Sequence, residues 1–338
     1  MYLKNCWYQA GWSEEVVAGK PMVRTLLGEP ILFWRDEGGS INALQDMCPH
    51  RFAPLSMGTI ADGRVTCGYH GLAFGADGAC VRNPYGPVTG AMKVRAYPVV
   101  ERHLAIWFWA GAPDKADPAL LPDLNFIDEA VPAARILGHM PTSADYRLLS
   151  DNILDLSHAD YLHPASLGGV MTSSKATARE EGQKIIARWE AHDCEPIPAA
   201  RASIPAGAKA DFWIEVEWQA PALMVLATAT TVTGIPSTPH DEARTLHNMV
   251  PETEATTHYF YCSVRGFLTD DPEFGAYIRA ALRHAFENED KPMIEAQQRR
   301  IGERDFWDLK PLLLKTDAAA VLARRKLELL IAQEVAVR

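Results

Sequence analysis

Short apolar runs broken by turn clusters fill the first hundred residues. Ile31-Leu32-Phe33-Trp34 and Ala105-Ile106-Trp107-Phe108-Trp109 have the length and the aromatic or β-branched content of strands, while Asp36-Glu37-Gly38-Gly39 and Gly75-Ala76-Asp77-Gly78 read as turns. A small antiparallel β domain is predicted there. The stretch from Gly111 to Pro118, followed by Pro122, has three prolines in ten residues and is the best linker, which places a boundary near residue 115 and divides the chain into 1–115 and 116–338. Beyond it the periods mix. Residues 143–163 suit a helix, 220–232 and 256–264 suit strands, and 272–300 and 317–337 suit helices, with Asp271-Pro272 and Asp317 in cap-like positions. The second part is therefore expected to be an antiparallel sheet flanked by helices, and the whole chain α+β. No repeat of 20 to 50 residues is apparent.

Composition removes several functions. At 338 residues, 48% hydrophobic and 22% charged, the chain reads as an ordinary globular protein of two domains. A formal net charge of −10 is the wrong sign for nucleic acid, so small molecules or proteins are the expected partners. The longest apolar stretches, such as Ala105–Ala112 and Ala220–Ala229, fall short of the roughly 20 residues a membrane span needs. Nothing at the N-terminus resembles a signal peptide, and a cytoplasmic location is expected. Six cysteines are too few for a disulfide scaffold, and a reducing compartment keeps them as thiols.

Two of those cysteines have a different use. Cys48-Pro49-His50 is followed by Cys67-Gly68-Tyr69-His70, giving the spacing C-x-H-x16-C-x2-H. Zinc fingers usually pair Cys with Cys and His with His, whereas here each short pair supplies one of each. A Rieske [2Fe–2S] cluster, with two Cys on one iron and two His on the other, has that demand. Cys2His2 zinc is the competing assignment. Gly68 and Gly71 can let backbone N–H groups approach the sulfurs, or can simply serve the turns.

A second constellation lies in Asp151-Asn152-Ile153-Leu154-Asp155-Leu156-Ser157-His158-Ala159-Asp160-Tyr161-Leu162-His163-Pro164. Residues five apart on a regular α-helix diverge by about 140°, so His158 and His163 can share one metal only through a π-like distortion or a helix end. Asp151, Asp155 and His158 can share one helical face. A facial two-histidine, one-carboxylate iron site needs one acid more. In the helix after Pro272 the stripe Ile278, Leu282, Phe286 and Met293 runs between Glu289 and Asp290, so residue chemistry allows either acid to face inward.

The two Cys/His loops and the D-N-x-x-D-x-x-H-x4-H segment resemble those of Rieske-type non-haem iron oxygenases, most closely the vanillate O-demethylase and dicamba monooxygenase group. The likeness runs from Asn5-Cys6-Trp7-Tyr8 to the last helix. It implies a [2Fe–2S] cluster on Cys48, His50, Cys67 and His70, and a mononuclear Fe(II) on His158, His163 and Asp290. It also implies that Asp155 links the sites across a subunit boundary, pairing His70 of one protomer with His158 of the next, and that Asn152 lines the iron site. Electrons would come from NAD(P)H through a reductase or ferredoxin, and the chains would form a homotrimer. The implied reaction is hydroxylation or O-demethylation of a substituted, methoxybenzoate-like aromatic with O2. His247 and the strand Leu223-Met224-Val225-Leu226 fall where this group lines its substrate site. Ala281 departs from the dicamba-cleaving member, which carries a large aromatic there. A ring-dihydroxylating dioxygenase, an electron-transfer Rieske protein without catalytic iron, and a zinc-stabilised binding module are the alternatives.

Overall fold

A computed structural model of the chain describes residues 1–336, with only the backbone of Ala202. Val337, inside the last predicted helix, lies outside the described residues. The chain forms two compact units, Tyr2–Asp123 and Leu124 onward. The break falls later than residue 115 because the proline-rich segment belongs to the first unit. There the Trp7 indole N–H donates to the Asp117 carbonyl at 2.8 Å, and Asn5 Oδ1 accepts from Ala112 N at 3.0 Å.

The first unit is all antiparallel β. Its strands are β1 (Trp7–Trp12), β2 (Met22–Leu26), β3 (Glu29–Arg35), β4 (Ile41–Gln45), β5 (Thr59–Ala61), β6 (Arg64–Thr66), β7 (Ala73–Gly75), β8 (Cys80–Arg82), β9 (Val99–Arg102) and β10 (Ala105–Trp109). They form sheets ordered β1-β10-β9, β2-β3-β4 and β5-β6-β7-β8. Both apolar runs singled out in the sequence become buried strands, β3 and β10. One apolar cluster, including Trp34, Leu44, Leu55, Val65 and Phe74, encloses the thiols of Cys48, Cys67 and Cys80.

The second unit is a seven-stranded antiparallel sheet with helices packed against it, in agreement with the α+β expectation. Its strands are β11 (Arg135–Thr142), β12 (Lys175–Glu181), β13 (Lys184–Cys194), β14 (Ala210–Gln219), β15 (Leu223–Val232), β16 (Glu242–Thr253) and β17 (Thr256–Arg265), ordered β11-β17-β16-β15-β14-β13-β12. A short α1 (Asn125–Glu129) precedes β11. The predicted helix over 143–163 is broken: α2 (Tyr146–Leu154) stops at Asp155, whose backbone (φ −128°, ψ 89°) leaves the helical region, and a 3-10 turn at Leu156–His158 leads into α3 (Ala159–Leu162). The stretch predicted over 272–300 also divides, into α4 (Pro272–Arg283), a π-helical segment His284–Asp290 and α5 (Lys291–Ile301). Asp271 caps α4 as expected, its Oδ1 accepting from Phe274 N at 2.9 Å. The final helix, α6, is Ala318–Ala336.

Contacts from two helices fix α2. Glu295 Oε1 and Gln298 Oε1, both on α5, accept from Ser143 N and Asp145 N at 2.9 Å, satisfying N–H groups at the entry to α2. On its other side Asp151 is gripped by Arg324 of α6 through three contacts of 2.6 to 3.0 Å. Asp151 therefore does not join the histidines, as a continuous helix would have allowed. Arg324 is buried and lies 4.1 Å over the Phe306 ring. Removing one partner of a buried pair strands the other charge, so Arg324→Met is expected to lower stability by about 2–4 kcal/mol. The melting midpoint of the cluster-loaded protein checks this, and an unchanged midpoint would show the pair to be idle.

Candidate metal centres

The two cysteine loops fold alike. In each, the Cys carbonyl accepts from the residue four later (Phe52 N to Cys48 at 2.8 Å, Gly71 N to Cys67 at 3.0 Å), and the Cys N–H donates to the carbonyl five later (Ala53 at 2.9 Å, Leu72 at 2.8 Å). The fourth residue sits in the left-handed region in both, Phe52 at φ 59° and Gly71 at φ 74°. Gly71 meets that requirement without strain, and Phe52 is held there by the loop's hydrogen bonds. Asp46 anchors the first loop, accepting from Ser56 N at 2.7 Å and Ser56 Oγ at 2.6 Å.

These matched turns bring the His50 and His70 rings to a centroid separation of 4.5 Å beside two buried thiols. Burial pushes the Cys48 thiol up, so a thiolate there calls for a cation, while the main-chain N–H groups of His50 and Arg51 act in the opposite direction. Gly68 permits a close backbone approach, since a Cβ there would lie 2.8 Å from the Met57 carbonyl. His70 Nδ1 is buried with no hydrogen-bond partner among the described residues. An orphaned imidazole nitrogen beside two buried sulfurs fits a cluster ligand.

In the second unit His158, His163 and Asp290 each offer a ligand atom, all within 4.8 Å of one another. His163 Nε2 lies 3.1 Å and His158 Nε2 3.5 Å from Asp290 Oδ1. The helix end, rather than a π distortion between the histidines, makes them converge: His158 closes the 3-10 turn and His163 follows α3 at φ −121°, ψ 43°. The π distortion occurs instead on the acid's side. It also shifts the buried face, so that Phe286, Asp290 and Ile294 are buried while Met293 of the expected stripe is exposed. Burial works against the Asp290 charge, but the two imidazoles facing it more than offset that and hold the carboxyl down at about 2.

Both acids left open by the sequence face inward. Asp290 meets His163 Nε2, and Glu289 Oε2 lies 2.7 Å from His163 Nδ1. The other nitrogens are also occupied in a consistent way: His158 Nδ1 is 2.6 Å from the Asp155 carbonyl oxygen. Within the chain, then, Asp155 reaches His158 through its backbone, and its carboxylate accepts from Ser157 N at 3.0 Å. Asn152 Nδ2 donates to Asp290 Oδ1 at 3.1 Å and lies 3.5 Å from His158 Nε2. With both Nδ1 atoms engaged, the two Nε2 lone pairs and Asp290 form a donor set suited to iron.

His247 of β16 is buried, and its Nδ1 lies 2.5 Å from the hydroxyl of Tyr259 on β17. Burial lowers its pKa to about 3, so the ring is neutral near pH 7. Burial also raises the Tyr259 hydroxyl well above its ordinary value. Tyr259 is a site residue that the sequence did not single out; the alternation Tyr259, Tyr261 on a strand buried on both faces was its only signal. Met224, directly opposite His247 on β15, shares its face together with Leu226, and Phe286 stands 5.8 Å away across the site. Ala281 is in the last turn of α4.

Among the described residues no helix is long and apolar enough to cross a membrane. Residues 6–98 match the Rieske [2Fe-2S] domain, and 142–333 match the vanillate O-demethylase oxygenase C-terminal domain. The chain is 36% identical to the dicamba O-demethylase oxygenase component of Stenotrophomonas maltophilia, over 99% of each chain. It is 36% identical to the chloroacetanilide N-alkylformylase oxygenase component of Rhizorhabdus wittichii, over 97% of this chain and 95% of that one. A crystal structure of dicamba monooxygenase bound to dicamba superposes with a TM-score of 0.89 at 35% identity, covering 99% of both chains. An electron carrier without a catalytic centre is not favoured by these matches. The chain belongs to the Rieske-type oxygenases, in the family of the vanillate and dicamba O-demethylase oxygenase components.

Proposed function

We propose that this oxygenase hydroxylates the O-methyl or a comparably activated carbon of a substituted aromatic compound such as a methoxybenzoate. The convergence of His158, His163 and Asp290 carries the proposal. In this reading Cys48, His50, Cys67 and His70 hold the cluster in the first unit, and the triad holds the mononuclear iron in the second. When bound, these groups supply activated O2 and the two electrons that reduce its second atom to water. Insertion of one oxygen atom at an O-methyl carbon gives a hemiacetal, which collapses to a phenol and formaldehyde.

The remaining roles belong to the chain's own side chains. Tyr259 has no hydrogen-bond acceptor other than His247 Nδ1 among the described residues, so its O–H donates there and fixes the tautomer with hydrogen on Nε2. That Nε2 is buried without a partner among the described residues, which supports its donating to a carboxylate or another acceptor on the substrate. Met224, Leu226 and Phe286 offer apolar surface to the ring. Asn152 steadies the Asp290 oxygen that faces both histidines.

The cluster histidines are flanked by exposed Phe52, Tyr69 and Tyr85. Exposed aromatics at that place support a covering partner, which we take to be a second copy in a homotrimer, its Asp155 carboxylate meeting His70. A separate reductase or ferredoxin, fed by NAD(P)H, would supply electrons. Iron analysis together with oxygen uptake on methoxylated aromatic acids, using a surrogate reductase, tests the proposal. Three irons per chain and formaldehyde matched to oxygen consumed are expected. Two irons per chain, a colourless zinc protein, or a cis-diol product would each overturn it.

A further inference from the structure

His163 is held at both nitrogens by consecutive residues of one helical segment. Asp290 Oδ1 lies 3.1 Å from Nε2, and Glu289 Oε2 lies 2.7 Å from Nδ1. On a regular α-helix neighbouring side chains diverge by about 100°, which would send one of two adjacent acids away from the ring. The wider turn of His284–Asp290 allows both to reach it. His158 is treated differently, because its Nδ1 meets the neutral carbonyl of Asp155. Both histidines turn Nε2 toward Asp290, yet at Nδ1 one has an anionic partner and the other a neutral one.

We infer that Glu289 is a positioning residue for the metal centre: its carboxylate locks His163 in the tautomer with hydrogen on Nδ1, aims the Nε2 lone pair at the metal, and makes His163 the stronger donor of the two imidazoles. The inference rests on the proposed assignment of His158, His163 and Asp290 as ligands. Its physical basis is that a carboxylate on the far nitrogen fixes ring orientation and raises ligand basicity, whereas a carbonyl supplies orientation with less charge. His163 is only 2% exposed, so the hydrogen bond is shielded from water, and Glu289 reaches it from a position with one oxygen turned outward. That second oxygen is 3.7 Å from Nε2 of His284, an exposed residue whose replacement serves as a control.

The test uses protein with its cluster intact and its mononuclear site stripped. Fe(II) affinity is measured by competition with a chelator. High-spin Co(II) is then added as a probe of the ligand field, with the cluster oxidised and EPR-silent. Glu289→Gln keeps an acceptor for Nδ1 but removes the charge. It is expected to weaken Fe(II) binding by roughly 10–100-fold and to shift the Co(II) EPR signal, with cluster absorption unchanged. His284→Gln is expected to match the parent in both readouts. Glu289→Ala should lose at least as much affinity as Glu289→Gln; should it fail to fold, the Gln variant decides. Parental affinity and an unshifted EPR signal in Glu289→Gln would overturn the inference, and so would a loss as complete as that in Asp290→Ala, which would make Glu289 a ligand. Parental affinity in Asp290→Ala would instead sink the ligand assignment itself.

Discussion

Replacing Asp290 with alanine is expected to leave the cluster's visible spectrum intact while mononuclear iron disappears and substrate-dependent oxygen uptake falls to background. The carboxylate is buried, and its Oδ1 is the atom on which His158 Nε2, His163 Nε2 and Asn152 Nδ2 all converge. Without it the two imidazoles have no third donor, and Asn152 loses its acceptor. Loss of a direct ligand should exceed the roughly 10–100-fold weakening that follows loss of an outer-shell partner. The cluster should survive because its four candidate ligands are held by hydrogen bonds internal to the Cys48 and Cys67 loops. Iron analysis giving two atoms per chain, with a Rieske-type spectrum, is the expected result. Three atoms per chain, or sustained oxygen uptake, would remove Asp290 from the site.

Asp155→Asn is expected to retain both metal centres and the fold yet lose turnover by roughly a hundredfold or more. The substitution is unusually clean. Its side-chain oxygen can still accept from Ser157 N, and its backbone carbonyl still accepts from His158 Nδ1, so the break between α2 and α3 is preserved. What goes is the negative charge, which the proposed assembly brings to a cluster histidine of a second copy while the Asp155 carbonyl holds His158. Single-turnover experiments on reduced protein would show slowed oxidation of the cluster with substrate binding unchanged. Parental turnover would refute the bridging role and leave Asp155 as a helix terminator.

How much of this was legible beforehand differs between the sites. The first metal constellation was readable because all four residues lie in two short loops, where chain connectivity limits the distance between Cys and His. The matched turns then follow from local hydrogen bonds, with Gly71 supplying the left-handed residue in one of them. The histidine pair was visible too, and the need for either a π-like distortion or a helix end between the two followed from helical geometry alone. Its location did not: the tendency of Asp155 to bond its own downstream N–H, which ends α2, was hidden within a stretch that otherwise reads as helix. Residue chemistry also left Glu289 and Asp290 unresolved, and the resemblance that favoured Asp290 said nothing of Glu289.

By itself the sequence determined which chemistry was available: a C-x-H and a C-x2-H pair, two histidines five apart, and an α+β pattern to carry them. Tertiary structure decided which groups meet. Asp290 reaches His163 across 127 positions and Arg324 reaches Asp151 across 173, because α5 and α6 pack against α2. His247 pairs with Tyr259 through the register of β16 and β17, which no local signal encodes. The physical reason is the same in each case. Side-chain direction depends on the backbone hydrogen-bond pattern, and a single π turn is enough to aim two neighbouring acids at one imidazole.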